Sequence, residues 1–445
     1  MPSIDRLMNR ANDAVARAVR AGADAAEVSV RAHSSTSVNV RLGKLEDVDH
    51  SEGGDLSLRL FIGQRVASLS TADASPAALD ILVDRAIAMA RISPENPWAG
   101  LAPSALLASG ALPDLDLFDH GATVTPEKLR DMAHAAEDAA RAVAGVTNSE
   151  GGAAAASQSA HAVVTSQGFA GGTKGSGYSV SASVIAGTGS DMQRDYDWHN
   201  VRHLGDLEPA PMIGNRAGER AVARLNPGSM PSGPLPVLFD PRVAASLIGH
   251  AISAMMGPLI AKGYSFLADH EGAKIFCDEI TLLDDPHRMR GLRSRAVDGE
   301  GLPTQASALI DRGVIAPWLC DVASARQLGR QPTGHASGSG GVTTGNLSIA
   351  AGACDRATLM ADIKQGVLVT ELLGQGVDLL TGDYSRGASG WRIVDGEIAG
   401  PVTGFTIAGN LLAIFAGLRA ANDVDRRYST HVPTLRTDAM TVAGD

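Results

Sequence analysis

The stretch Asp240–Gly257, DPRVAASLIGHAISAMMG, decides how this chain is read. It opens as a helix, with Asp240 at the N-cap and Pro241 at the first helical position. Val243, Leu247, Ile248 and Ala251 then recur at helical spacing. A zinc-protease helix needs two histidines on one face and a glutamate beside the first to activate water. This helix has one histidine, His250, and no carboxylate after Asp240. It has the framing of a metal-binding helix and lacks the ligands.

At 445 residues the chain is long enough for two or three domains. Its 44% hydrophobic and 20% charged residues are globular values, and 50 glycines favour turns and short strands over a helix bundle. A net charge of −11 argues against a nucleic-acid surface. The arginines show no run or stripe and read as compositional bias. Cys277, Cys320 and Cys354 are widely spaced, so reduced thiols in a cytoplasmic protein are the simplest reading. The first 22 residues form an amphipathic pattern without the apolar run of a signal peptide. No apolar stretch is long enough to span a membrane.

The spacing predicts an α+β, multi-domain protein with mostly antiparallel sheets, packed helices and a glycine-rich, β-dominated C-terminal domain. An N-terminal α+β domain is expected over 1–95. It has a helix over 4–21, strands at Ala26–Val30, Thr36–Arg41 and Leu56–Ile62, a turn at Gly53-Gly54, and a helix from Pro76 to about Ile92. A Pro/Ala/Ser-rich linker follows. A middle α+β domain is expected over 114–228, with helices at 126–144 and 210–224 and glycine-punctuated strands between them. The third domain, 235–445, begins with a strand at Val237–Phe239 and the Asp240 helix, and has a further helix at about 357–373. The Gly334–Gly345 segment reads as a mobile loop.

The order of several phrases is specific: SLRLFIGQRVASLST (57–71), ERAVARLNP (219–227), RAVDGEGLPT (295–304), PTGHAS (332–337), GDYSRGASGWRIVDGEIAGPV (382–402), TIAGNL (406–411) and PTLRTDAMTVAG (433–444). With these, the chain resembles the TldD/PmbA family over most of its length. The resemblance implies that the TldD branch carries an HExxxH zinc motif on this helix and a cysteine ligand near the C-terminus. Aligned to it, the two zinc ligands become Gly249 and Ala254, and the glutamate becomes His250. The stretch 427–433, RYSTHVP, has no cysteine, only His431. The chain therefore resembles the PmbA (TldE) branch. That branch implies no cofactor here, zinc in a TldD-like partner, and unfolded or extended peptides as substrate. It also implies a degenerate site without catalytic residues of its own.

Other constellations have competing readings. His250 reads as a packed residue more readily than as a lone functional imidazole. Asp195, Asp197 and His199 alternate, so a strand places them on one face, with His203 four residues on. Two carboxylates and two imidazoles can hold a divalent metal. The alternative is a solvated face on which Arg194 and Arg202 pair with the acids. Asp383, Tyr384, Ser385 and Arg386 form a polar patch where Asp383 can pair with Arg386. Ser385 lacks a histidine partner and a hydrolase elbow, so a structural turn or a docking surface is favoured. Asp298 and Glu300 read as an acidic turn. His335 is a candidate peptide or partner contact. The glycine clusters lack the context of a phosphate loop.

Three functions follow from different classes: a non-catalytic subunit of a TldD/TldE-type metalloprotease, a stand-alone homodimeric peptide-binding protein, and a metal hydrolase using Asp195, Asp197, His199 and His203.

Overall fold

A computed structural model describes residues 1–338 and 340–444. Helix α1 (Ile4–Arg20) starts at Ser3, whose hydroxyl accepts from the Arg6 N–H, and buries Leu7, Ala11, Ala14, Val15 and Ala18. Strands β1 (Ala25–Arg41), β2 (Lys44–Ile62) and β3 (Arg65–Thr71) follow, then α2 (Pro76–Ile92), capped by Ser75. Next come α3 (Pro126–Ala142), β4 (Val146–Thr165), β5 (Ala170–Ala186), β6 (Gln193–Val201) and α4 (Ala210–Ala223).

All six strands join one antiparallel sheet, ordered β3-β2-β1-β4-β5-β6. The sheet runs through both the first and the middle region. Val28 and Val30 pack with α1 and α2, while Val38 and Val40 pack with α3 and α4. Even-numbered positions of one strand share a side, so both helix pairs cover the same face.

Several strand limits differ from the sequence expectation. Gly53-Gly54 is not a turn: both residues lie inside β2, paired with His33 and Ala32. The hairpin closes at Leu42-Gly43, with φ of 51° and 74°, a two-residue turn in the left-handed region. Lys44–Gly53 is exposed throughout, so this arm has no apolar face to reveal its period. The glycines at 171, 172, 175 and 177 lie within β5 rather than between strands. Strand β3 has no counterpart in the sequence reading.

The last region holds two sheets. One is four-stranded and the other eight-stranded. The larger includes β7 (Gly233–Pro234) and β8 (Val237–Phe239). Helix α5 (Pro241–Ala254) packs on that sheet. Its Leu247, Ile248 and Ala251 enter the largest core, with Phe239, Val369, Phe405, Ile407 and Phe415. The expected helix over 357–373 is a short helix, Arg356–Met360, followed by a strand, Gln365–Leu373. Val367, Leu368 and Val369 pair parallel to β8 in the sheet interior, where a continuous apolar run suits a strand. The Gly334–Gly345 segment holds a bridge between Ala336 and Val342; Ser339 within it lies outside the described residues.

Buried charges tie the first sheet to the C-terminal region. Arg59 of β2 donates to Glu27 of β1 at 3.1 Å and lies 3.5 Å from Glu300. The expected acidic turn at Asp298–Glu300 is thus buried. Burial pushes the Glu300 carboxyl up to about 7, and Glu27 and Asp298 shift the same way for the same reason. A carboxyl whose pKa is raised in the folded state stabilises it while neutral. Its contribution is complete below the unfolded value of 4.5 and is lost as pH rises through about 7. The unfolding midpoint should therefore fall between pH 5 and pH 8, and Glu300→Gln should flatten that fall. Parallel melting curves for the two proteins across this range would contradict the assignment.

Candidate functional site

Helix α5 is fixed at its start by Asp240, which accepts from the Arg242 N–H at 3.1 Å and from Arg356 at 3.2 Å. The three motif positions then diverge. Gly249 is exposed, and a Cβ there would meet nothing within 4 Å. Ala254 is buried in the core, and its carbonyl accepts from the Ser265 hydroxyl at 2.5 Å. His250 lies edge-on to Tyr384, with ring centroids 5.9 Å apart. Burial, then the neighbouring Arg386, holds the His250 pKa below its ordinary value, which favours neutral imidazole. Its Nε2 is buried and has no partner among the described residues.

Tyr384 and Arg386 belong to the strand Asp383–Val394. Alternation places them on the opposite side from Asp383 and Ser385. Tyr384 is buried, and burial pushes its hydroxyl up to about 12. Its OH and the Arg386 Nε are, like His250 Nε2, buried without a partner among the described residues. The expected Asp383–Arg386 pair does not form. Asp383 instead accepts from Thr381 at 2.9 Å and Asn410 at 3.2 Å. Ser385 is exposed, and its backbone N–H donates to Gly376. His335 is buried rather than presented to a peptide. Its Nδ1 lies 2.9 Å from the Thr333 hydroxyl and its Nε2 lies 3.2 Å from Asp284.

The β6 cluster is a different case. Asp195, Asp197 and His199 do share one face, but that face is buried. Asp197 contacts Arg216 at 2.6 Å, Arg220 at 2.8 Å and Arg427 at 3.3 Å. Asp195 contacts Arg242 at 2.9 Å and Arg224 at 3.3 Å. His199 Nδ1 accepts from the Glu208 N–H at 3.1 Å. His203 turns away, with Nε2 2.9 Å from the Asp116 carbonyl. The carboxylate oxygens a cation would need are engaged by guanidinium groups, so this residue set does not fit a metal. Nor do Arg194 and Arg202 pair with these acids: Arg194 holds Glu150 at 2.7 Å, and Arg202 donates to the Leu292 carbonyl at 2.7 Å.

His431 does not join His250. Its Nε2 lies 3.0 Å from Arg288 Nη1, which can only donate, so the imidazole accepts. Burial, then Arg288 and Arg426, holds it down at about 4. Among the described residues no three His, Cys, Asp or Glu side chains gather as a metal set. Cys277, Cys320 and Cys354 are free.

Sequence models of three PmbA/TldA metallopeptidase domains match residues 26–90 (domain 1), 119–225 (central) and 232–444 (C-terminal). The chain belongs to the PmbA/TldD family. It is 36% identical to Metalloprotease PmbA of Escherichia coli O157:H7, over 95% of this chain and 92% of the relative. It is 34% identical to the Metalloprotease PmbA homolog of Haemophilus influenzae, over 97% and 95%. The Metalloprotease TldD homolog of Haemophilus influenzae matches at 25%, over 53% of this chain and 50% of its own. Full-length likeness to PmbA against half-length likeness to TldD supports the PmbA (TldE) branch. A crystal structure from Bacteroides thetaiotaomicron, of a protein described as a candidate modulator of a DNA gyrase, superposes with TM-score 0.91 at 28% identity, covering 98% of both chains. TldE of Thermococcus kodakarensis shares the fold, with TM-score 0.85 at 22% identity, over 98% of this chain and all of that one.

Within this family framework, the arginine clamp on Asp195 and Asp197 is what the sequence reading passes over. Arg216, Arg220 and Arg224 recur every four residues, which places them on one face of the α4 end. That spacing is a stripe, not compositional bias. Arg242 and Arg427 carry no comparable local signal.

Proposed function

We propose that this chain is the non-catalytic subunit of a cytoplasmic TldD/TldE-type zinc metalloprotease. A TldD-like partner with an HExxxH helix supplies the zinc and the general base. This chain completes the assembly and shapes access for unfolded or extended peptides, which bind readily by strand addition. The observation that carries the reading is the state of α5: glycine and alanine stand where ligands are required, and they face different surroundings. A zinc hydrolase needs three protein ligands and an open position. His250 alone does not provide them. The metalloprotease names of the PmbA relatives are accommodated if activity belongs to the pair. The metal-hydrolase alternative on β6 is set aside by its arginines. Among the described residues no helix is long and apolar enough to cross a membrane.

Light scattering of this chain, of a TldD-type paralogue from the same organism and of their mixture tests the pairing. A mixed species of one copy each is expected to replace the separate peaks. Two unchanged homomeric peaks after prolonged mixing would contradict it.

A further inference from the structure

A small cavity of about 170 Å³ lies where β6 meets the loop between two strands of the four-stranded sheet, Leu282–Asp285 and Ser307–Asp311, and the segment before the last strands. The charged groups on its wall are mostly cationic, in a chain of net charge −11. Five arginines line it against one carboxylate, Asp206. Arg290 is paired with Asp116 and Asp206, and Arg427 with Asp425 and Asp197. The other three have no carboxylate partner among the described residues. Arg202 donates to the carbonyls of Leu292 and Ser176. Arg288 meets only His431 Nε2 at 3.0 Å and the Asn346 carbonyl at 3.4 Å. Arg426 is exposed.

The neighbouring polar groups are set as donors. His199 Nδ1 accepts from the Glu208 N–H, so a neutral ring carries its proton on Nε2. His431 accepts from Arg288 and cannot serve as that arginine's counter-ion. Tyr428 also lines the cavity, and its hydroxyl is buried without a partner among the described residues. Like charges held together without counter-ions cost free energy unless an anion joins them. At Asp197, by contrast, guanidinium groups and a carboxylate neutralise one another directly. Here the fold leaves the positive charge open.

We propose that this cavity is a binding site for a compact oxyanion, held by Arg288 and Arg426 with His199 Nε2–H as a further donor. Guanidinium groups match the paired oxygens of carboxylate and phosphate. The volume lies below the ~300–1,000 Å³ of pockets that take drug-sized ligands, so the ligand group is small. Free phosphate and the terminal carboxylate of a peptide share this chemistry. The site lies within one chain and goes beyond the pairing proposed above, and this chain alone suffices to test it.

Calorimetric titration of the full chain with inorganic phosphate, at ionic strength held constant with chloride, should show saturable binding of one anion. Arg426→Gln should weaken it by about tenfold or more. The unfolding midpoint of that variant without phosphate should not fall and should rise slightly, because Arg426 is exposed, makes no ion pair among the described residues, and its removal relieves repulsion with Arg288. Arg288→Gln should weaken binding further. A short peptide with a free C-terminus, tested beside its amidated form, separates the two sources. Displacement of phosphate by the acid form alone assigns a peptide carboxylate; phosphate binding indifferent to both assigns free phosphate. If neither phosphate nor the acid peptide binds wild type more tightly than Arg426→Gln, the proposal is overturned.

Discussion

Asp197→Ala is expected to destabilise the protein by about 3–5 kcal/mol, the cost of removing one partner from a buried ion pair. Asp197 is fully buried, and three guanidinium groups converge on its two oxygens. Two come from the α4 helix, and the third, Arg427, lies 230 residues away in sequence. Alanine removes the only carboxylate that all three share. Arg427 keeps Asp425 and Arg216 keeps Glu208, which limits the loss to the lower end for those two. Arg220 loses its one ion pair among the described residues. Because Arg427 belongs to the C-terminal region, the loss should loosen that region from the first sheet. Arg194→Ala is the contrast. Its pair with Glu150 is about half exposed on both sides and should be worth less than about 1 kcal/mol. Urea unfolding of both variants provides the comparison. A loss below about 1 kcal/mol for Asp197→Ala would contradict the account of the clamp.

Gly214→Val should cost about 3 kcal/mol or more, through overpacking rather than charge. Helices α3 and α4 touch backbone to backbone at this point. A Cβ on Gly214 would lie 2.0 Å from the Ala136 carbonyl oxygen, and one on Gly218 would lie 2.7 Å from that of Ala140. A rigid helix backbone cannot yield by that much, so the helices must separate. Separation would expose Ala133, Ala136, Ile213 and Ala217, all buried in the α3–α4 core. Gly249→Ala is the internal control. It is also a helix glycine, but nothing lies within 4 Å of its Cβ. There alanine should stabilise by about 0.5–1 kcal/mol. Equal effects at the two positions would mean that the helix contact is wrongly placed.

The parts of the fold that were legible in the sequence are those with an apolar face and a cap. Ser3, Ser75, Thr125 and Asp240 each begin a helix where the sequence reading places one. The exposed β1–β2 arm was not legible, because Lys44–Gly53 buries nothing. The strand at 365–373 reads as a helix in the sequence because a short apolar run fits either period. Its parallel partner, β8, lies about 130 residues upstream. At the site, the alternation on β6 placed Asp195, Asp197 and His199 on one face correctly. What that face touches depends on Arg242 and Arg427, which are distant in sequence. What Gly249, His250 and Ala254 each meet likewise needed the third dimension, although the directions of the first and last follow from their spacing. Gly249 and Ala254 are five residues apart, so they point well away from each other around a helix of 3.6 residues per turn.

The central claim is that the scaffold is here and the chemistry is in a partner. It is tested by measuring zinc content and cleavage of an unfolded peptide for this chain, for a TldD-type paralogue carrying HExxxH, and for their purified mixture. The mixture is expected to hold about one zinc per pair and to cleave the peptide. Replacing the glutamate of the paralogue's motif with glutamine should abolish cleavage, because it removes the base that activates water. His250→Ala in this chain should leave cleavage within about twofold, since the proposed division of labour gives this imidazole no part in the reaction. Stoichiometric zinc and full proteolysis from this chain alone would contradict the account.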